Sequence, residues 1–209
     1  MSNALRKKKK PLTVMGYSQK ELASIEKISK QRKKTESLIS ETHYNLRDIY
    51  YIILHDKFGF GNKRIVRLEQ TVDRYITLAE TDKNFAPNNL HRYLLEKWGI
   101  DVKSEIKSVP GREVQALIYR DYKITMDRLD SVNTISAMMY VSLVVTVTAL
   151  KTKFKFSKAM IDKFIWWVKY YLNSLSIKDL DLDILGIASA LYCECNYLDS
   201  RFAGKVYEI

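Results

Sequence analysis

Apolar residues recur three and four positions apart along most of this chain, and the runs they form predict helices. Leu22, Ile25 and Ile28 trace a thin stripe on a charged segment that Ser18-Gln-Lys-Glu21 opens as a capping box. Leu38, Ile39, Leu46, Ile49, Tyr50, Ile53 and Leu54 predict a second helix, ending near Lys57. Ile65, Leu68, Val72, Tyr75 and Ile76 predict a third over residues 62–79, with Lys63, Arg64, Arg67 and Arg74 on its opposite face. Pro87 opens a short helix over 88–98 that stops at Gly99. Beyond a linker over 103–111, Pro110 starts a connecting helix with Val114, Leu117, Ile118, Tyr122, Met126 and Leu129 on one side. The pattern then predicts a helix without charge before Lys151 over 133–152, an amphipathic one over 158–175, and a last one over 184–196 capped by Asp183. No strand is expected, since alternation such as Leu180-Asp-Leu-Asp-Ile184 is too short for one.

The pattern also repeats. Leu54-His-Asp-Lys-Phe-Gly-Phe-Gly-Asn-Lys-Arg-Ile65 is followed 96 residues later by Leu150-Lys-Thr-Lys-Phe-Lys-Phe-Ser-Lys-Ala-Met-Ile161. Leu54/Leu150, Lys57/Lys153, Phe58/Phe154, Phe60/Phe156 and Ile65/Ile161 are identical, as are Tyr44/Tyr140, Val72/Val168 and Tyr75/Tyr171. The expectation is an all-α protein with a duplicated helical unit, two helix-turn-helix-containing three-helix units behind a basic N-terminal arm and helix. The boundaries read from the pattern are 1–34 for the arm and charged helix, 35–102 for the first unit, 103–130 for linker and connecting helix, and 131–209 for the second unit. The paired phenylalanines are expected to pin the two helices of each unit. Gly59 suits a left-handed helix stop, whereas Lys155 at the matching place argues against the same geometry in the second copy.

Charge changes this picture at one end only. The net charge is +11, and residues 1–34 hold eleven Lys/Arg against Glu21 and Glu26, while the remainder is nearly balanced. A cationic arm on a neutral body favours phosphate polymers or anionic surfaces; a solubilising tail is the plain alternative. The most apolar stretch, 135–150, contains Ser136, Ser142, Thr146 and Thr148 and falls short of a spanning helix. It predicts a buried core helix, no transmembrane segment and, with only Cys193 and Cys195 in the chain, a reducing cytoplasmic setting.

Candidate chemistry is sparse. His55-Asp56 resembles a metal-site fragment, but His43 and His91 are the only other histidines and the second copy reads Lys151-Thr152. Cys193-Glu-Cys195 has no partner ligands, Gly59-Phe-Gly61 is not a phosphate loop, and Asp179-Leu-Asp-Leu-Asp183 lacks the form of a calcium site. No nucleophile arrangement stands out, so the expectation is no enzyme, no catalytic residue, no metal and no cofactor.

A helix ending at Lys57, a Gly-containing turn and a second helix opening on Asn62, Lys63, Arg64 and Arg67 fit a DNA-reading helix-turn-helix, though basic solvated faces look the same. The segment 54–65, followed by Leu94-Leu-Glu-Lys-Trp-Gly-Ile-Asp101, resembles uncharacterised small helical proteins of phages and prophages of Gram-positive bacteria, over residues 43–102. That resemblance implies a phage accessory protein in a bacterial host cell and brings no catalytic residues with it. The combined expectation is a non-enzymatic nucleic-acid-binding or regulatory protein. Lys7, Lys8, Lys9, Lys10, Arg32, Lys33 and Lys34 would grip phosphates, with Lys63, Arg64 and Arg67 as a second contact. The alternative is a protein-interaction module or homodimer, including an inhibitor of a host factor, that uses Trp166, Trp167 and Tyr170, since adjacent tryptophans on a helix cannot both face one core.

Overall fold

The computed structural model describes residues 13–14, 17–118, 127–180, 182–199 and 201. The fold is all-α apart from a two-residue antiparallel pair near the start, β1 (Thr13–Val14) with β2 (Tyr17–Ser18). Helix α1 then runs unbroken from Gln19–Phe58, forty residues. The helices expected on either side of residue 34 are therefore one. Lys, Arg, Gln and Glu crowd the supposed boundary, all good helix formers, and neither Gly nor Pro interrupts them. The described side chains over 26–34 are all exposed, and Leu38 is the first buried one, so the leading half of α1 stands in solvent.

Two helix stops organise everything after that. At the end of α1, Gly59 takes a left-handed φ of 64° and the Phe60 N–H donates to Leu54 O at 3.0 Å. Helix α2 (Asn62–Thr81) follows, then a 3-10 turn at Lys83–Phe85, then α3 (Pro87–Trp98) ending on left-handed Gly99. Helices α4 (Val102–Lys107) and α5 (Gly111–Ala116) replace the predicted linker and long connecting helix. Asp101 caps α4 by accepting from the Ser104 N–H, a short-range signal that the period of apolar residues does not carry. Tyr122 and Met126 lie outside the described residues.

Helix α6 (Arg128–Thr152) opens the second half. Lys155 adopts φ 58° and the Phe156 N–H donates to Leu150 O at 3.1 Å, so the left-handed stop is made here too, against expectation. His55 Nδ1 lies 2.9 Å from Phe60 O, and Lys151 Nζ donates to Phe156 O at 2.8 Å, from the corresponding position. Helix α7 (Lys158–Ser176), capped by Ser157, a 3-10 turn at Lys178–Leu180 and α8 (Ile184–Cys195), capped by Asp183, complete the order. Left-handed Asn196 ends α8 as Gly99 ends α3.

The halves interleave rather than stand apart. Helix α1 packs on α6, α7 and α8, and α6 packs on α2, α3, α4 and α5. The two stops meet ring to ring: Phe58 to Phe156 and Phe60 to Phe154 both have centroids 5.1 Å apart. The phenylalanines thus join the halves to each other, and Phe60 also meets Arg64 of its own half. Phe60 and Phe156 are buried, while Phe58 and Phe154 are half-buried. Residues 142–150 of α6 are buried on all sides, as a helix apolar all round requires. By length and composition α6 is the one described helix apolar enough to cross a membrane, and over half of its most apolar window is covered by the rest of the protein.

Candidate nucleic-acid interface

Helix α2 sorts its charges by face. Lys63, Arg67 and Arg74 fall on one strip, with Gln70 and Thr71 between them at i, i+3, i+4 and i+7 from Arg67. Glu69, Asp73 and Glu80 fall on another, where Glu69 accepts from the Tyr197 hydroxyl at 2.7 Å and from Arg47 at 3.2 Å. The cationic strip borders an open groove of about 470 Å³ lined by Arg67, Gln70, Thr71, Arg74, Tyr75, Leu78, Phe85 and Lys153. Lys153 comes from the second helix stop, so the groove exists only because α6 packs on α2.

No carboxylate of the described residues lines this groove. Among the described residues, Lys63, Arg64, Arg67, Arg74 and Lys153 make no ion pair. Aromatic rings of the stops support two of them: the Arg64 guanidinium sits 3.8 Å from the Phe60 centroid and that of Arg67 5.9 Å from Phe154. Asn62, expected at the reading edge of α2, instead donates to Cys195 O and Asn196 O and fastens α2 to the end of α8. A second depression of about 440 Å³ adjoins the first and shares Tyr75 and Phe85 with it.

The other predicted residues are dispersed. Lys7, Lys8, Lys9 and Lys10 lie outside the described residues. Arg32, Lys33 and Lys34 are exposed on the solvent-borne half of α1, with Arg32 Nε paired to Glu36 at 2.8 Å. On α7, Trp166 is 55% exposed and stacks on Tyr170, which is 49% exposed, at 5.6 Å. Trp167 is half-buried, with Lys57 Nζ 4.5 Å from its ring.

Distance along the chain concealed two groupings. His55, Asp56 and Glu194 offer ligand atoms all within 4.8 Å of one another, a third partner that the spacing of His and Asp could not reveal. His55 Nε2 faces Glu194 at 3.4 Å, and Asp56 accepts from the Tyr171 hydroxyl at 3.2 Å; burial and then the Asp56 charge push that hydroxyl's pKa up. At the equivalent place Lys151 faces the Trp98 ring at 5.0 Å, so both contacts tie a first helix to the third helix of the opposite half.

The other grouping is a buried ionic network. Arg201 donates to Asp48 at 2.8 Å, to Asp199 at 2.6 Å, to Asn45 at 2.6 Å and to Glu41 at 3.1 Å, and Arg47 lies 3.1 Å from Asp199. Burial pushes the Asp48 carboxyl well up, reinforced by Asp199 beside it. Burial would raise Asp199 too, but hydrogen bonds led by Arg201 hold it down at about 2. The network clamps the segment after α8 onto the middle of α1, and its two Asp are too enclosed to meet a substrate.

No family model, curated protein or solved structure matches this chain.

Proposed function

We propose that this protein is a non-enzymatic nucleic-acid-binding accessory protein of phage type, built on a duplicated helical half and acting in the cytoplasm of a bacterial host. One observation carries the binding claim: three cations, Arg67 and Arg74 of α2 and Lys153 of the second helix stop, line a groove to which no carboxylate of the described residues contributes, and Lys63 and Arg64 are exposed one turn before Arg67. Free cations on a surface exchange their counterions for phosphates, and that release drives backbone binding. The solvent-borne half of α1 adds Arg32, Lys33 and Lys34, and the basic segment Lys7 to Lys10 precedes it. The phage setting rests on the resemblance of residues 43–102.

Fluorescence anisotropy of the full chain with a labelled duplex at two salt concentrations tests the reading. Binding should weaken steeply with salt, and each lost phosphate contact should lower the log–log slope by about 0.9 for duplex DNA. Replacing Arg64, Arg67 and Arg74 together by Ala should lower it by two to three such steps. Absence of binding at low salt overturns the proposal.

The alternative, a protein-interaction module, is favoured by the Trp166–Tyr170 stack, since paired aromatics that exposed are typical interface anchors. Capture of a host protein that survives nuclease and is lost in Trp166→Ala would favour it.

A further inference from the structure

The two adjoining depressions differ in chemistry, and the difference has the polarity of a nucleotide. The first presents Arg67, Arg74 and Lys153 with the Gln70 amide and the Thr71 hydroxyl. The second is lined by Asn84, Asn89, Leu90, Arg92, Tyr93, Glu96, Thr148 and Thr152. Tyr75 and Phe85 form the wall between them, with ring centroids 5.4 Å apart and the Tyr75 hydroxyl held 2.9 Å from Thr152 Oγ1.

We infer that this double groove takes one nucleotide unit of a single strand, with the phosphate among Arg67, Arg74 and Lys153 and the base beside Phe85 and Tyr93. The inference rests on the nucleic-acid reading above and narrows it to unpaired strands. Charge fixes the direction. A phosphate is drawn to the lobe with three cations and kept from the lobe with Glu96, whose carboxylate instead accepts from a base amino group. The base lobe offers what a flat heterocycle recognises. Tyr93 is 39% exposed, the Asn84 side-chain amide makes no hydrogen bond to the described residues, and Arg92 is held by Asn89 Oδ1 at 3.2 Å. A base within a duplex is stacked and paired and cannot turn into a side pocket, whereas unpaired bases stack on aromatic side chains beside a cationic track. Lys63 and Arg64, one turn before Arg67, continue the track for a neighbouring phosphate.

The test compares a labelled single strand, the same sequence as duplex, a mononucleotide and inorganic phosphate, each titrated against the full chain and against Arg74→Glu and Tyr93→Ala. Arg74 is exposed and makes no ion pair among the described residues, so Arg74→Glu should melt as the wild type does. Tyr93, 39% exposed, also packs edge-on to Trp98 at 4.7 Å and accepts from Lys97, so its variant is compared with Tyr93→Phe, which keeps the ring and should bind as the wild type does. The single strand should bind more tightly than the duplex. Arg74→Glu should weaken it about tenfold by replacing a phosphate contact with a repulsion. Tyr93→Ala should weaken it about fivefold or more, the lower end of one base–aromatic stack.

If both variants bind the strand as the wild type does, the groove assignment is overturned while the nucleic-acid reading stands on other cations. If the mononucleotide alone binds, and Arg74→Glu abolishes it, the groove stands and the polymer reading falls. Inorganic phosphate binding as well as the mononucleotide, with Tyr93→Ala silent, overturns the base lobe. No binding by any probe removes both.

Discussion

At the residue scale, the matched positions Gly59 and Lys155 carry a controlled comparison. Both hold left-handed φ values, 64° and 58°, in equivalent helix stops. A side chain there strains against its own carbonyl by about 1–2 kcal/mol, which glycine avoids. None of the described residues lies within 4 Å of where a Gly59 Cβ would sit, so Gly59→Ala should destabilise by about 1 kcal/mol through backbone strain alone. Lys155→Gly should stabilise by less, about 0.5 kcal/mol, because glycine also loosens the unfolded chain. Urea melts of both variants check the pair, and a loss in each would show that Lys155 contributes through its side chain. The sequence could not settle this geometry: Lys155 argued against it, and the packing of Phe156 into the core overrides that local preference.

The ionic clamp sits at the same scale and was illegible, because Asp48 and Arg201 are 153 positions apart and each alone reads as ordinary surface charge. Asp199, held down at about 2, contributes stability that is present above the ordinary carboxylate range and fades as pH falls toward that value. Asp48 runs the opposite way: its pKa is raised on folding, so its contribution is present when it is protonated and is lost as pH rises. Arg201→Met leaves two enclosed carboxylates with Arg47 alone, and should cost about 3–5 kcal/mol near pH 7. The deficit should shrink at pH 5, where the pair more readily takes up a proton. Denaturation of wild type and variant at both pH values measures the change, and an equal deficit would remove the coupling from the account.

Elements were more legible than their neighbours. The spacing of apolar residues placed α2, α3, α6, α7 and α8 within a few residues, because helical period is a local property. It also exposed the cationic strip of α2. It gave no sign that Lys153 would close the groove beside Arg67 and Arg74, since a stripe does not say which partner covers it. The phenylalanines of the stops show the same limit. Phe60 and Phe156 have almost no exposure, 0% and 2%, while Phe58 and Phe154 keep part of theirs. Phe60→Ala and Phe156→Ala should each cost about 3–5 kcal/mol, and Phe58→Ala less. Because Phe60 and Phe156 also touch, at 5.9 Å between centroids, the double variant should fall short of the sum. Additive losses in a double-mutant cycle would place the rings in independent cores.

At the scale of the molecule, the order of elements repeats while the packing crosses over. Helix α1 finds α7 and α8 rather than α3, and α6 finds α2 and α3 rather than α8. Each long helix therefore buries its apolar face in the opposite half, and α6 alone has residues 142–150 to hide. Cut between Ile118 and Asp127, the chain should yield two fragments that each lack the cover their long helix needs. Neither should show a cooperative thermal transition alone, since a stripe facing water cannot repay the ordering of its helix. Mixed, they should restore one transition, at a temperature that rises with fragment concentration because the joined state is now bimolecular. Circular dichroism melts of each fragment and of the mixture decide it. A cooperative melt from either half alone would mean that the two units are separate folds in contact, and the Phe58–Phe156 and Phe60–Phe154 pairs would then be an interface rather than a shared core.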